Sequence, residues 1–421
     1  MSNAQACSND SAARIRSRSE DVPTGYKLTE LGVIPEDWEV LRMGRIASIL
    51  RGASPRPIDD PKWFDDKSST GWLRIADVTA TDKYLEFTSQ KLSQAGMANS
   101  RFVNGNSLVM SICATVGKPI ITRMNVCIHD GFVVFNNLQT EREYLYYFLL
   151  SLEPKWSNQG QTGSQMNLNT GIINSTPIPI PPPAEQRAIA VALSNVDKLL
   201  ESLNELIAKK RAIKQAAMQQ LLTGKIRLPG FSHKWETKRI GDLLNYERPD
   251  HYIVHYSEYS DYGDIPVLTA NKSFILGFTS ENFGVCTEIP VVVFDDFTTD
   301  SKFGAFPFKV KSSAIKLLRA RKNQAHLRYI FERMQLIRFP VGDHKRYYIS
   351  DYQDLELLVP DYEEQRTIAA VLSDIDSEIN ALEQRLNKTR AIKEGMMRQL
   401  LTGRVRMVEP MCRLSQEQVS P

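Results

Sequence analysis

The chain has 421 residues, 42% of them apolar and 24% charged, with 52 Lys+Arg against 49 Asp+Glu for a net charge of +3. That is too long for one ordinary domain and ordinary in composition for buried globular cores. The mild basicity permits nucleic-acid binding but excludes a histone-like polycation. The cysteines, Cys7, Cys113, Cys127, Cys286 and Cys412, are scattered without a CxxC spacing. This argues against a disulfide framework or a zinc site, and points to a reducing cytoplasm. No apolar run reaches the length of a membrane span, so no membrane partner is expected.

In chain order, residues 1–24 are small, polar and charged, without an apolar leader core, and read as a disordered tail. Residues 25–183 read as a strand-rich head. NSLVMSICATVGKPIITRMNVCIHDGFVVF is β-branched and apolar, broken by turns at Gly117-Lys118 and Asp130-Gly131, and LYYFLLSL reads as a short helix. Residues 184–230 contain one long helix. Residues 231–362 form a second head, with strands in DIPVLTANKSFILGFT and EIPVVVFDDFTTDSKFGAFPFKV and a short helix in LRYIFERM. Residues 363–407 hold a second long helix, and 408–421 form a C-terminal tail. The fold class expected is α+β, with two mixed α/β heads.

The two helical segments repeat one another. AEQRAIAVALSNVDKLLESL and EEQRTIAAVLSDIDSEINAL align without a gap at a shift that places Gln186 on Gln365, Asp197 on Asp376, Arg211 on Arg390 and Gly224 on Gly403. In the second copy Ile368, Leu372, Ile375, Ile379, Leu382, Leu386 and Thr389 alternate spacings of four and three. Ile189, Leu193, Val196, Leu200, Leu203 and Ile207 match them in the first. This is a heptad seam that packs on a partner helix. At about 1.5 Å per residue each helix spans roughly 58 Å. The simplest arrangement pairs the two copies as an antiparallel coiled coil with pseudo-twofold symmetry. A coil between two chains is the alternative. The repeat extends upstream: Trp38-Glu39 matches Trp235-Glu236, Pro181 matches Pro360, and GSQMNLNTG lies opposite GDHKRYYIS. Matching frames with different interiors suggest one task performed on two targets.

Candidate DNA contacts lie in polar loops. Arg or Lys reads guanine, Asn or Gln reads adenine, and cations and hydroxyls hold phosphates. In the first head these are Arg51, Ser54, Arg56, Arg74, Lys118, Ser164, Gln165, Asn167 and Asn169. In the second they are Tyr246, Arg248, Asn271, Lys272, Thr298, Thr299, Lys302, His344, Lys345, Arg346 and Tyr347. A solvated turn with incidental polarity is the competing reading of each one. No dinucleotide or P-loop glycine motif, no metal-binding histidine spacing and no amino-methyltransferase motif occurs. Asp295, Asp296, Asp300 and Lys302 can be forced into a metal-nuclease pattern. The acids follow one another too closely for that, and the first head has no counterpart. No catalytic, cofactor-binding or metal-binding residue is expected in the chain. A standalone DNA enzyme and a non-DNA coiled-coil scaffold are the rival classes.

Two heads, each followed by a Glu-Gln-Arg…Leu-Leu-Thr-Gly helix, resemble the specificity (S) subunit of type I restriction-modification enzymes over about residues 25–407. The resemblance implies that the heads are target recognition domains, each reading half of a bipartite asymmetric DNA sequence, and that the helices are spacers. It further implies that the chain is non-catalytic. The partners implied are double-stranded DNA, two methyltransferase (M) subunits using S-adenosylmethionine, and restriction (R) subunits using ATP and Mg.

Overall fold

The computed structural model describes residues 22–158, 168–255, 259–270, 273–342 and 345–407. These divide into two units, one formed by residues up to Glu201 together with those from Asn387 onward, the other by Ser202–Leu386. The boundary falls inside both long helices, Pro183–Leu221 and Tyr362–Leu400.

In the first unit, strand Glu39–Arg42 pairs antiparallel with Pro177–Ile180, the strand that runs directly into the first long helix. Above this frame sit two mixed sheets. One has the order Ser48–Arg51, Phe132–Asn136, Leu108–Ser111, Pro119–Thr122 and Tyr84–Leu85, with only the last pair parallel. The other joins Gln90–Lys91, Gly71–Leu73, Val126–Ile128 and Arg101–Val103. The expected strands and both expected turns lie here, and the apolar runs form fully buried strands because both faces are covered. The expected short helix runs from Arg142 to Asn158, longer than the apolar string alone predicts. Its Tyr144, Tyr147 and Leu149 are buried in the core with Ile189 and Leu193 of the first long helix.

The second unit repeats the frame. Strand Glu236–Arg239 pairs with Glu356–Val359, which leads into the second long helix. Its sheets are Leu244–Glu247, Ile315–Ala320, Val291–Asp295, Ser301–Gly304, and Ile275–Thr279, Ile265–Leu268, Lys309–Val310. Helix Leu327–Met334 covers the first of these, as LRYIFERM suggested.

Within each unit the two long helices run antiparallel, and the seam residues Ile189, Leu193, Leu203, Ile207, Ile368, Leu372, Ile379 and Leu386 are buried. Polar pairs set the register. Asp197 accepts from Lys393 at 2.6 Å in the first unit, and Asp376 accepts from Lys214 at 2.8 Å in the second. These are the same two repeat positions with helices exchanged. The strongest fastening lies where one helix starts and the other ends. Glu185, with no exposed side-chain surface, accepts the Trp38 indole N–H at 2.9 Å and the guanidinium of Arg406 at 2.8 Å. In the second unit Glu364, equally buried, accepts the Trp235 indole N–H at 3.1 Å and the guanidinium of Arg227 at 2.6 and 2.5 Å. A buried carboxylate is tolerable only when its lone pairs are filled in this way. The guanidinium of Arg406 is correspondingly held more basic than usual, first by its hydrogen bonds to Glu185.

The adjoining glutamines act alike. Gln186 donates to Pro181 O and Gln365 to Pro360 O, both at 2.9 Å, tying each helix start to the strand before it. Gly224 and Gly403 both end their helices at φ 70°, a conformation that favours glycine. A side chain at Gly403 would also strike Pro35, at 2.4 Å from its Cδ, and Trp38.

Candidate nucleic-acid interface

In the first head the Arg-Gly-Ala-Ser-Pro-Arg segment leaves strand Ser48–Arg51 beside the turn at residues 129–131. Gly52 donates to Phe132 O at 2.9 Å and Ala53 to Ile128 O at 3.0 Å. A Cβ on Gly52 would stand 1.9 Å from His129 O, so only glycine allows this approach. The segment is thereby pressed onto the turn, with Asp130 at its tip.

Asp130 then gathers three of the expected residues. Its carboxylate accepts from Ser54 Oγ at 2.9 Å and faces the Arg56 guanidinium at 3.7 Å, while its main-chain oxygen accepts from Arg51 Nε at 2.7 Å. Partial burial opposes ionisation of Asp130, but the Ser54 hydroxyl and neighbouring charge hold its carboxyl below the ordinary value. The adjacent His129 is pushed down by burial, and its Nδ1 accepts the Gly131 N–H at 2.9 Å, so the ring is neutral at pH 7. Arg74 reaches Gln90 Oε1 at 2.5 Å, and Lys118 reaches Thr79 O at 3.2 Å. Asn169 accepts from Ile172 N–H at 2.9 Å and caps the helix Thr170–Ser175, so its carboxamide oxygen is already used. Ser164, Gln165 and Asn167 lie outside the described residues.

The second head is organised by an aspartate turn. Asp295 Oδ1 accepts from the N–H groups of Phe297 and Thr298 at 2.9 and 3.0 Å, and Thr299 follows at φ 59°. This Asx-type turn puts Thr298 and Thr299 at the surface. Asp296 is buried against Lys316 at 3.3 Å and accepts from the Tyr348 N–H at 2.8 Å, while its main-chain oxygen accepts from Tyr347 N–H. The acidic string is thus a structural turn, and among the described residues no acidic or histidine group is clustered for a metal ion. The same bonds bring the loop at 345–347 against the turn. Arg346 lies over the Phe297 ring at 5.8 Å from its centroid, and Lys345 pairs with Asp351 at 2.7 Å.

Tyr246 is 40% exposed and meets Tyr348 edge-on at 5.6 Å. Arg248 is exposed and Lys302 half-buried on the outer strand Ser301–Gly304. Tyr347 requires a correction: it is buried, its hydroxyl accepts from the Gly342 N–H, and its ring packs on Phe339, so it supports the loop from beneath instead of facing DNA. Asn271, Lys272 and His344 lie outside the described residues.

Sequence reasoning passed over Asp130, visible only as a turn residue, and Phe297, visible only as an apolar residue in an acidic string. It also gave no role to Glu185, Glu364, Arg227 and Arg406. The repeat held the signal for these four, since Trp, Glu and Arg recur together at both frames. No helix among the described residues is long and apolar enough to cross a membrane.

Residues 35–211 and 232–390 both match the family described as the type I restriction modification DNA specificity domain. The chain belongs to this family. It is 39% identical over 141 residues to the EcoR124I/EcoR124II specificity subunit of Escherichia coli, a match covering 32% of this chain and 35% of that relative. It is 22% identical over 420 residues to the MjaVIII specificity subunit of Methanocaldococcus jannaschii, covering 89% and 94%. Its fold is similar to that of the type I restriction-modification S subunit from M. genitalium, with a TM-score of 0.58, 15% identity and coverage of 89% and 97%. The chain is a type I restriction-modification specificity chain with two specificity domains, whose role is DNA sequence recognition and not catalysis.

Proposed function

We propose that each head reads one half of a bipartite, asymmetric DNA target and that the long helices set the gap between the halves. The observation that carries this is the contrast between frame and interior. The Trp–Glu–Arg fastening is the same in both units, whereas the residues offered to DNA are different. Arg51, Ser54, Arg56, Arg74 and Lys118 supply the first surface, and Tyr246, Arg248, Thr298, Thr299, Lys302, Lys345 and Arg346 the second. Guanidinium and ammonium groups hold phosphates, and the guanidinium forks and hydroxyls read base edges.

In this reading the chain acts in the cytoplasm with M and R subunits. The M subunits bind S-adenosylmethionine and methylate adenine, which must be flipped out of the stack to be reached. The R subunits use ATP and Mg. This chain contributes recognition and positioning, and no chemistry. Single-molecule sequencing of methylated DNA from cells that carry the system tests the proposal. The expected result is one motif with two unlike half-sites separated by a fixed gap. A continuous or palindromic motif overturns it.

A further inference from the structure

We infer that Asp130 is a positioning residue for the first head's reading of DNA: it holds Ser54 and Arg56 in the reading geometry without itself contacting a base. The inference rests on the proposed function and names how one of its surfaces is organised.

Three observations converge on this carboxylate. Asp130 stands among the cations Arg51 and Arg56, an anion where phosphates are to be held. By charge alone it weakens DNA binding, so its presence calls for a positive reason. It is also the point at which an exposed side chain, Arg56, and a half-buried one, Ser54, meet one partner. The Arg56 side chain is 74% exposed and Asp130 is its only ion-pair partner among the described residues, at 3.7 Å, while Ser54 Oγ donates to it at 2.9 Å. An exposed arginine loses considerable rotamer freedom when it docks on a base, and a carboxylate that preorients it removes part of that cost beforehand. Finally, the backbone beneath is closely packed. Gly52 lies against His129, and a Cβ on Gly131 would come within 2.4 Å of Cys113 Sγ. The turn that carries Asp130 and the segment that carries Ser54 and Arg56 are therefore fixed to each other.

A carboxylate in such a place can also accept from cytosine N4 and read a base directly. The two roles predict different outcomes. The test uses the full-length chain with its methyltransferase subunit, a pool of duplexes randomised in both half-sites, and the substitutions Asp130→Asn and Asp130→Ala. The second half-site, read by the other head, is the internal control. A positioning role predicts that both variants lose roughly tenfold in discrimination, spread over several positions of the first half-site only. It also predicts that affinity for unrelated DNA at low salt rises or holds, because a negative charge has gone. A purely structural role lowers affinity for all DNA. A direct base contact changes preference at one position alone. Either result overturns the inference, as does unchanged discrimination.

Ser54→Ala, which removes one partner without altering charge, is expected to act in the same direction with a smaller effect, and no effect counts against the inference even if both Asp130 variants misfold. Arg56→Ala separates the two levels. If it changes the first half-site and the Asp130 variants do not, the positioning role fails and the proposed function stands. If neither changes it, the reading of this loop fails as well.

Discussion

The two heads solve the same physical problem differently. In the first, the cations gather at one aspartate: Arg51 donates to the main-chain oxygen of Asp130 and Arg56 faces its carboxylate. In the second, they lie on aromatic rings: Arg346 over Phe297 and Lys345 near Tyr347, and of these two only Lys345 takes an acidic partner among the described residues. An ion pair is directional and screened by salt, whereas a cation over a ring is held by the ring's quadrupole and by shared apolar area. The frames beneath are alike to the residue, with Trp38, Glu185 and Arg406 corresponding to Trp235, Glu364 and Arg227. A fixed fastening under a variable surface lets recognition diverge without altering how each head is mounted on its helices.

The largest effect is expected at the fastening. Glu364→Ala leaves the Arg227 fork and the Trp235 N–H without their acceptor in a buried place. The buried indole donor left unpaired should lower stability by about 1–3 kcal/mol in urea unfolding followed by tryptophan fluorescence. Glu185→Ala should cost a similar amount in the first unit. A loss below about 1 kcal/mol for one of them breaks the equivalence of the frames.

Next comes the spacing of the target. Removing one matched heptad, residues 199–205 and 378–384, shortens each helix by about 10 Å, or roughly 3 base pairs. The gap between half-sites should contract by that amount with both half-sites intact, as read by sequencing of methylated DNA. An unchanged gap removes the helices from the role of ruler.

A smaller effect is expected from Lys345→Ala combined with Arg346→Ala. The slope of log affinity against log salt should flatten by up to about 1.8, if both cations contact phosphate. Discrimination at the first half-site should be unaffected. A slope equal to that of the unaltered chain excludes this loop from the interface.

The smallest concerns Asp361, which has no acidic counterpart in the first frame, where Pro182 occupies the matching position. Its carboxyl lies below the ordinary value because it accepts the Glu364 N–H at 3.0 Å and, secondly, faces His233 Nδ1 at 3.0 Å. A depressed carboxyl stabilises the fold above its unfolded value, and this contribution is lost as pH falls through the folded one. Asp361→Asn should therefore cost a little stability near neutral pH, and melting curves of the two proteins should converge in acid. A difference that persists at low pH points to lost packing and not to charge.

How much of this was legible beforehand follows from what each feature depends on. The long helices, their seam and their glycine ends were legible because they are local: a 3.5-residue apolar period and a residue able to adopt positive φ are properties of a short stretch of chain. The strands of both heads were legible for the same reason, as β-branched runs between turns. The contact residues were legible only as types. Tyr347 has the chemistry of a surface contact, yet lies buried against Phe339 with its hydroxyl tied to Gly342. Nothing local distinguishes it from the exposed Arg346 beside it.

By itself, then, the sequence determined the repeat, the helices and the existence of two unlike heads. The tertiary structure alone decided which charges meet. Glu185 and Arg406, or Asp130 and Arg56, are far apart along the chain, and their pairing depends on desolvation and close approach, which only the folded backbone creates.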